Sequence, residues 1–261
     1  MQDVTSCPAS LTAGQVYTIK DSRDNQDYKV AKLADGKCWM VENLNIAGGT
    51  ALSAGDTDVT SAYISSFSTS NNLTKTGDTI VLPASSTSGF DTDNYSYVYN
   101  SNNKTTNCAS PGCYSYYSWD AATLGSGRSL NTENTDAPHS ICPKGWRLPT
   151  SGADTDDGWK RGDFYALATA YGANLESDYY EISATFYNNA GPGTIPGFLL
   201  AGSYYGGSFY DGGSVGAYWS STSYSNTSSA RDLGFGSSGV NSASYDYRGV
   251  GFSVRCLFSG Q

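Results

Sequence analysis

Few side chains in this sequence could carry out acid–base or nucleophilic chemistry. Its single histidine, His139, lies in a polar connector over residues 136–140, and no nucleophile elbow stands near it. A Ser-His-Asp triad would need that histidine, so an exposed connector residue is the favoured interpretation. Paired carboxylates for glycoside cleavage remain an alternative, although glutamate is scarce and the aspartates cluster in loops. We predict no catalytic residue and expect the chain not to be an enzyme.

One acidic run could bind a metal ion. Residues 154–158 read Asp-Thr-Asp-Asp-Gly, which partly matches the start of an acidic calcium loop, with Asp154, Asp156 and Asp157 as candidate ligands. Tyr165 stands where an EF-hand needs its bidentate glutamate, and the Glu-Pro-Asn and Trp-Asn-Asp signatures of calcium-dependent lectins are absent. A solvated acidic turn is the favoured interpretation. No cofactor is predicted, and calcium is kept as the alternative.

Six cysteines could form disulfides or hold a metal ion. A zinc site is disfavoured, because there is no C-x-x-C spacing and only one histidine. Sequence alone does not select among the many possible pairings. A Pro-Gly turn could bring the third and fourth cysteines together, and two others each adjoin an aromatic segment. The candidate pairs are Cys108 with Cys113, Cys142 with Cys256 and, by elimination, Cys7 with Cys38.

Charge and composition limit the partners and the location of the chain. With 261 residues, a formal net charge of -9 and a pI near 4.4, the chain lacks the basic surface that nucleic acid or an anionic membrane requires. No apolar run is long enough to cross a membrane, so direct membrane insertion is not expected. Cysteine-containing, lysine-poor composition is typical of exported proteins. We expect one extracellular or surface-tethered domain over residues 1–261, with its signal or anchor outside this chain.

Hydrophobic patterns place several elements. Apolar residues alternate on both sides of Asp35-Gly36, which predicts a hairpin from residues 28–33 and 38–41, preceded by a strand over residues 16–19. Helices are predicted over residues 114–124 and 161–171 from apolar residues at helical spacing. Residues 47–106 are rich in Gly, Ser, Thr, Asp and Asn and are expected to form a weakly structured insertion, with room for a small sheet of its own.

The stretch from residue 195 to residue 256 combines two compositions. Short apolar runs at 198–201, 218–219, 233–235 and 251–254 are typical of strands in an antiparallel meander. The segments between them consist almost wholly of Tyr, Ser, Gly, Asp and Asn, and are expected at the surface. This is the composition of an adaptable paratope, because tyrosine supplies stiff amphipathic contact area and small polar residues adjust the hydrogen bonding around it. A merely solvated set of loops is the alternative.

Residues 182–258 contain no Lys, Glu, Gln or Met, although lysine recurs earlier in the chain. Randomising the two adenines of an AAC or AAT codon would leave this vocabulary, since a codon with a third-position pyrimidine cannot encode those four residues. Local bias could have the same result. The pattern is therefore suggestive of templated diversification.

Several ordered motifs resemble one family. WMVENLN (39–45), YYSWDAAT (116–123), CPKGWRLPT (142–150), YWSST (218–222) and GFSVRC (251–256) look like the landmarks of the Fibrobacter succinogenes major paralogous domain, from about residue 16 to residue 258. The resemblance implies an α+β, C-type-lectin-like fold related to the formylglycine-generating enzymes. That fold is a twisted, mostly antiparallel sheet with two helices and long irregular loops stabilised by disulfides. The insertion over residues 47–106 falls outside the match.

The C-terminal block further resembles the variable region of proteins targeted by diversity-generating retroelements. The resemblance implies a constant framework, hereafter the framework residues: Trp219, Ser220, Ser221, Leu233, Phe235, Arg248, Phe252, Val254 and Arg255. It also implies a diversified, ligand-binding surface within about residues 203–250, hereafter the candidate surface residues: Tyr204, Tyr205, Ser208, Tyr210, Asp211, Tyr224, Ser225, Asn226, Asp232, Ser244, Tyr245, Asp246, Tyr247 and Val250.

The expected function is recognition of a protein or other surface ligand by these residues. A fixed carbohydrate-binding or adhesive domain without diversification is the first alternative. A surface enzyme of the formylglycine-generating kind is the second, and it would need a reactive free thiol.

Overall fold

The computed structural model describes residues 1–2, 7, 14–69, 72–84, 98–100, 115–152, 162–175 and 180–260. The candidate pair Cys108–Cys113 and the candidate calcium ligands Asp154, Asp156 and Asp157 lie outside the described residues.

The first sheet joins the beginning of the chain to its end. It contains β1 (Val16–Lys20), β2 (Asp27–Lys32), β3 (Cys38–Met40), β11 (Trp146–Arg147) and β18 (Leu257–Phe258), in the order β1-β2-β3-β18-β11. All neighbours are antiparallel, and Ala31 faces Trp39 across the hairpin whose turn contains Asp35-Gly36. The predicted first strand and hairpin are confirmed. Because β18 lies between β3 and β11, the C-terminal segment holds two distant parts of the chain together.

The second sheet carries the C-terminal stretch. It contains β12 (Tyr180–Glu181), β15 (Val215–Ser223), β16 (Ser229–Gly236) and β17 (Gly239–Tyr247), in the order β12-β17-β16-β15. The last three form an antiparallel meander, and two of the four apolar runs expected as its strands, residues 218–219 and 233–235, lie in it. The other two do not, because residues 198–201 lie in no strand and residues 251–253 form only isolated bridges. The expectation that the segments between the apolar runs lie wholly at the surface is wrong for residues 239–247. They form a strand because Val240 and Ala243 are buried while backbone pairing with β16 satisfies the peptide groups.

Smaller elements surround the two sheets. The remaining strands are β4 (Ala51–Ser53), β5 (Thr57–Asp58), β6 (Thr74–Thr76), β7 (Thr79–Val81), β8 (Val98–Asn100), β9 (Ser115–Tyr117), β10 (Ser140–Pro143), β13 (Ser203–Tyr205) and β14 (Ser208–Tyr210). The α-helices of the described residues are α1 (Ser61–Ser66), α2 (Trp119–Ala122), α3 (Asp163–Ala170) and α4 (Thr185–Ala190). The chain is thus mostly antiparallel sheet with few helices. The described part has more helices than the two expected, but three of them are short.

The two predicted helices have different outcomes. The helix predicted over residues 161–171 is confirmed as α3. The one predicted over residues 114–124 is wrong in its first half, where β9 occupies residues 115–117. Helix α2 begins only after Ser118, whose Oγ accepts a hydrogen bond from the backbone N–H of Ala121 at 3.2 Å. The capping serine explains this boundary, because it satisfies a helix N–H while its own backbone stays extended.

The described part of the expected insertion is folded rather than weakly structured. Strands β4, β7 and β6 form a three-stranded sheet, so the small sheet of its own is confirmed. Apolar side chains from this region lie in the main core beside residues from both ends of the chain. Composition does not predict this burial, because each apolar residue stands alone among polar ones. The buried residues include Leu52, Ile64, Leu73, Ile80 and Leu82.

Two disulfides lie within the described residues. Cys7 pairs with Cys38, with Cα atoms 6.0 Å apart, and Cys142 pairs with Cys256, with Cα atoms 5.8 Å apart. Both predicted pairings are confirmed, and disulfides fit a protein outside the cytoplasm. Among the described residues, no helix is long and apolar enough to cross a membrane.

Candidate functional site

The candidate surface begins with the β13–β14 hairpin. Tyr205 faces Ser208 across a two-residue turn, and Gly206 and Gly207 have φ of 58° and 81°. Positive φ at both central residues is the type I′ geometry, which glycine adopts without steric cost. The hairpin is fixed to the end of the chain by paired backbone hydrogen bonds of 3.0 and 2.8 Å between Tyr204 and Gly251. Residues 203–210 are therefore placed beside residues 246–251.

The base of the hairpin needs a residue without a side chain. Gly202 has φ of 67°, and a Cβ atom there would lie 2.1 Å from the backbone oxygen of Tyr210. Asp211 follows in the left-handed region, with φ of 57°, and its backbone oxygen accepts hydrogen bonds from the N–H groups of Ser214 and Val215. This turn leads into β15 and keeps Asp211 exposed at the edge of the hairpin.

The end of β17 supplies the second part of the surface. Burial alternates along residues 244–247, with the side chains of Tyr245 and Tyr247 exposed and those of Ser244 and Asp246 half-buried. Tyr245 is 54% exposed and Tyr247 is 64% exposed. Asp246 Oδ1 accepts a 2.7 Å hydrogen bond from the backbone N–H of Tyr247, and burial raises the pKa of this carboxyl group.

The hairpin and the end of β17 enclose an open concavity of about 310 Å³. Six of its seven lining residues were predicted as surface residues from the sequence, and the seventh begins the predicted variable region. We call this site the concavity; its lining residues are Ser203, Tyr205, Tyr210, Asp211, Asp246, Tyr247 and Val250. Two segments that are far apart in sequence thus form one site.

A second cluster lies across β16 and β17. The rings of Tyr224 and Tyr245 stack with centroids 4.1 Å apart and an interplanar angle of 6°. The guanidinium of Arg231 lies 5.0 Å from the Tyr224 ring. Arg231 is buried and donates to the Ala243 backbone oxygen at 2.8 Å and to Glu133 at 3.1 Å. This support makes the stacked pair a fixed aromatic surface.

Sequence reasoning missed Arg231. It is one of three buried arginines on the C-terminal stretch, and the other two, Arg248 and Arg255, were predicted as framework. A usable signal was present, since a few isolated arginines stand in a long segment without lysine or glutamate. Arginine in that setting indicates a buried guanidinium whose five N–H groups bind backbone oxygens.

Three predicted surface positions are corrected by the structure. Tyr204, Asp232 and Val250 are buried. Tyr204 turns inward along β13 and packs on Phe209, with ring centroids 5.0 Å apart, because successive side chains of a strand point to opposite faces. Burial, and then the neighbouring charge of Asp246, raises the pKa of Asp232 well above its usual range. These three side chains lie beneath the surface. Val250, although buried, still lines part of the concavity.

The other candidate surface residues are at least partly accessible. Asn226 is exposed and shapes its turn, with Oδ1 accepting hydrogen bonds from the N–H groups of Ser228 and Ser229. The exposed members are Ser208, Tyr210, Asp211, Ser225, Asn226, Tyr245 and Tyr247, and the half-buried ones are Tyr205, Tyr224, Ser244 and Asp246.

All nine framework residues are buried. Trp219 donates from Nε1 to the Tyr117 backbone oxygen at 2.7 Å and packs against Phe252, with ring centroids 4.5 Å apart. Arg255 binds Asn43 Oδ1 at 2.9 Å and lies 4.2 Å from the Phe198 ring. These framework side chains are therefore bonded within the core beneath the surface tyrosines.

No Ser-His-Asp triad is formed around His139 among the described residues. His139 is half-buried rather than exposed, with its ring 4.4 Å from that of Tyr63, and burial lowers its pKa. The expectation of an exposed connector residue is wrong in that respect. Ser140 Oγ donates to Asp58 at 2.6 Å instead of to the histidine. Within the described ranges, no group of three or more His, Cys, Asp or Glu side chains could hold a metal ion.

Comparisons with known proteins add no assignment: no family model, no curated protein and no solved structure matches this chain.

Exposure of Tyr245 and Tyr247 has a direct consequence for stability. Replacing both with serine is expected to lower the free energy of unfolding by only about 1 kcal/mol, because exposed side chains contribute little and the lost stack with Tyr224 is worth about 0.5–1.5 kcal/mol. Urea denaturation followed by fluorescence measures it. Tyr204→Ser is the matched control, because its buried ring should cost about 3 kcal/mol. Equal losses in both variants would show that the surface is misplaced.

Proposed function

We propose that the chain is a non-enzymatic binding protein with a C-type-lectin-like fold, whose C-terminal surface is diversified by a retroelement to recognise varied ligands. The observation that carries this proposal is the concavity. Its lining joins residues 203–211 to residues 246–250, and six of its seven members were selected from sequence as diversified positions.

The difference in burial between the framework residues and the candidate surface residues also supports the proposal. The nine framework residues are buried, whereas eleven of the fourteen candidate surface residues are exposed or half-buried. A protein that varies its binding residues needs this arrangement, because substitutions at exposed positions usually change stability by less than about 0.5 kcal/mol. The surface can then change while the fold is retained.

Tyrosine is the physical basis of recognition in this proposal. Tyr205, Tyr210 and Tyr247 surround the concavity, and Tyr224 and Tyr245 form the adjacent stack. Each ring offers a large, stiff contact area at low entropic cost, and aromatic contacts add about 0.5–1.5 kcal/mol beyond burial. We propose a partner protein, met outside the cytoplasm, as the ligand. Binding by a fixed carbohydrate-recognition or adhesive domain is the competing function.

Population sequencing of the gene tests the diversification. We expect substitutions to concentrate in codons 203–250, at the accessible candidate surface residues, and to fall in codons derivable from AAC or AAT. Codons of the framework residues serve as the internal control and should stay constant. If codons 203–250 vary no more than the exposed positions of β1 and β2, the retroelement proposal fails and a fixed lectin-like or adhesive domain becomes the better explanation.

A further inference from the structure

The concavity has a distinctive chemical character. Its seven lining residues include three tyrosines and two aspartates but no lysine, arginine or histidine. The chain as a whole carries a formal net charge of -9. Aromatic faces and carboxylates share one electrostatic preference, because both attract a positive charge. A ligand group that entered this site as an anion would meet only repulsion from its charged residues.

The two aspartates line the concavity from different segments of the chain. Asp246 uses Oδ1 for its hydrogen bond with the Tyr247 N–H, and that bond holds the side chain at the end of β17. Asp211 contributes from the other side of the concavity, where its left-handed backbone and two backbone hydrogen bonds fix the turn. Tyr210 and Tyr247 are both exposed, one on each of the two segments.

We infer that the concavity binds an organic cation, the guanidinium or ammonium group of an Arg or Lys side chain presented by a partner protein. The carboxylates of Asp211 and Asp246 would accept its N–H groups, and the rings of Tyr205, Tyr210 and Tyr247 would contact its charge and its aliphatic stem. The inference rests on the proposed function, since it names the ligand class for the same surface. It concerns the residues of this chain, and diversified copies would carry others.

The test uses the intact protein and a pair of probes that differ in charge. A capped Gly-Arg-Gly peptide and its citrulline counterpart, which is similar in shape but neutral, are titrated while backbone amide resonances are followed by NMR. We expect the arginine peptide to bind at least about fivefold more tightly and to shift the amide resonances of residues 203–211 and 246–250. Equal affinity for the two peptides would overturn the inference, and this comparison needs no variant.

Substitutions then locate the site. Asp246→Asn and Tyr247→Ser are each expected to weaken binding of the arginine peptide about 5- to 10-fold. Asp78→Asn removes the same charge from an exposed turn outside the concavity, and Tyr180→Ser removes an exposed ring from β12; neither should change affinity by more than about twofold. An equal effect of Asp78→Asn would mean that net charge alone attracts the peptide, and would overturn the site.

Two further probes separate the remaining explanations. Methylguanidinium carries the charge without a peptide, so binding as tight as that of the peptide would overturn the assignment to a partner protein. A neutral methyl glycoside that shifts the same amides when the arginine peptide does not would overturn the cation and leave the surface a binding site. Population sequencing decides the diversification separately, so failure of the cation inference is distinguishable from failure of the proposed function.

Discussion

Replacing Arg248 with alanine is expected to lower the free energy of unfolding by about 3–5 kcal/mol, a large part of the net stability of a typical domain. The buried guanidinium lies 4.4 Å from the Trp119 ring and donates to backbone oxygens of two separate loops. Alanine would leave these oxygens, which are buried or partly buried, without their donor. They belong to Ser229 at 2.9 Å, Gly127 at 3.4 Å, Arg128 at 3.2 Å, Leu130 at 2.7 Å and Asn226 at 3.2 Å.

Urea denaturation at pH 7 measures the loss of stability, and two further variants serve as comparisons. Arg248→Lys is expected to recover only part of the stability, because a single ammonium cannot match the planar fork of donors. Lys144→Ala removes an exposed positive charge and should change stability by less than about 0.5 kcal/mol. A loss below about 1 kcal/mol in Arg248→Ala would show that the guanidinium does not hold the two loops together.

Arg248 also connects the framework to the binding surface. One of its acceptors is the backbone oxygen of Asn226, in the turn that follows Tyr224. Loss of this anchor should therefore disturb the Tyr224–Tyr245 stack as well as the global fold. We expect the Arg248→Ala protein that remains folded at low temperature to give a weaker near-ultraviolet circular dichroism signal, because its aromatic side chains would be less firmly packed.

Local patterns in the sequence were sufficient for the elements that depend on local physics. The hairpin around Asp35-Gly36 follows from turn chemistry, and α3 from apolar spacing. In each case the signal lies within a few residues of the element it predicts.

Predictions failed where tertiary contacts determine the outcome. Residues 239–247 were expected at the surface because their composition is polar, yet pairing with β16 makes them a strand with Val240 and Ala243 buried. Once they are a strand, alternation decides which side chains reach the solvent. The same rule turns Tyr204 and Asp232 inward. Composition identified the segments that form the candidate surface. Which side chains of those segments face the solvent depends on the register of the strands, and composition does not give that register.

Substitution of Asp163 is expected to have the second large effect on stability, because this residue joins three parts of the chain at the start of α3. Its buried carboxylate binds Arg147 Nη1 at 2.6 Å, Lys37 Nζ at 2.6 Å and the backbone N–H of Thr150 at 2.8 Å. Asparagine would keep the shape but lose the charge. We expect Asp163→Asn to lower the free energy of unfolding at pH 7 by about 2–4 kcal/mol, because two cations would lose their partner in a partly desolvated site.

The pH dependence distinguishes this ion cluster from a merely structural role. Burial alone would raise the pKa of Asp163, but the hydrogen bonds and charge of Arg147, with help from Lys37 and Thr150, outweigh it and lower the pKa to about 2. Since the folded-state pKa lies below the ordinary aspartate value of 3.8, the charge stabilises the fold above pH 4, and that contribution is lost as the pH falls from about 4 to 2.

The stability difference between Asp163→Asn and the parent protein should therefore be constant from pH 7 to pH 5 and shrink by about 2 kcal/mol as the pH approaches 2. Urea titrations at each pH measure it, with Asp78→Asn as the control, because Asp78 is exposed in a turn and should produce no such convergence. A difference that stays the same down to pH 2 would mean that the loss at pH 7 comes from packing, and that the charge of Asp163 does not hold α3 to the β2–β3 hairpin.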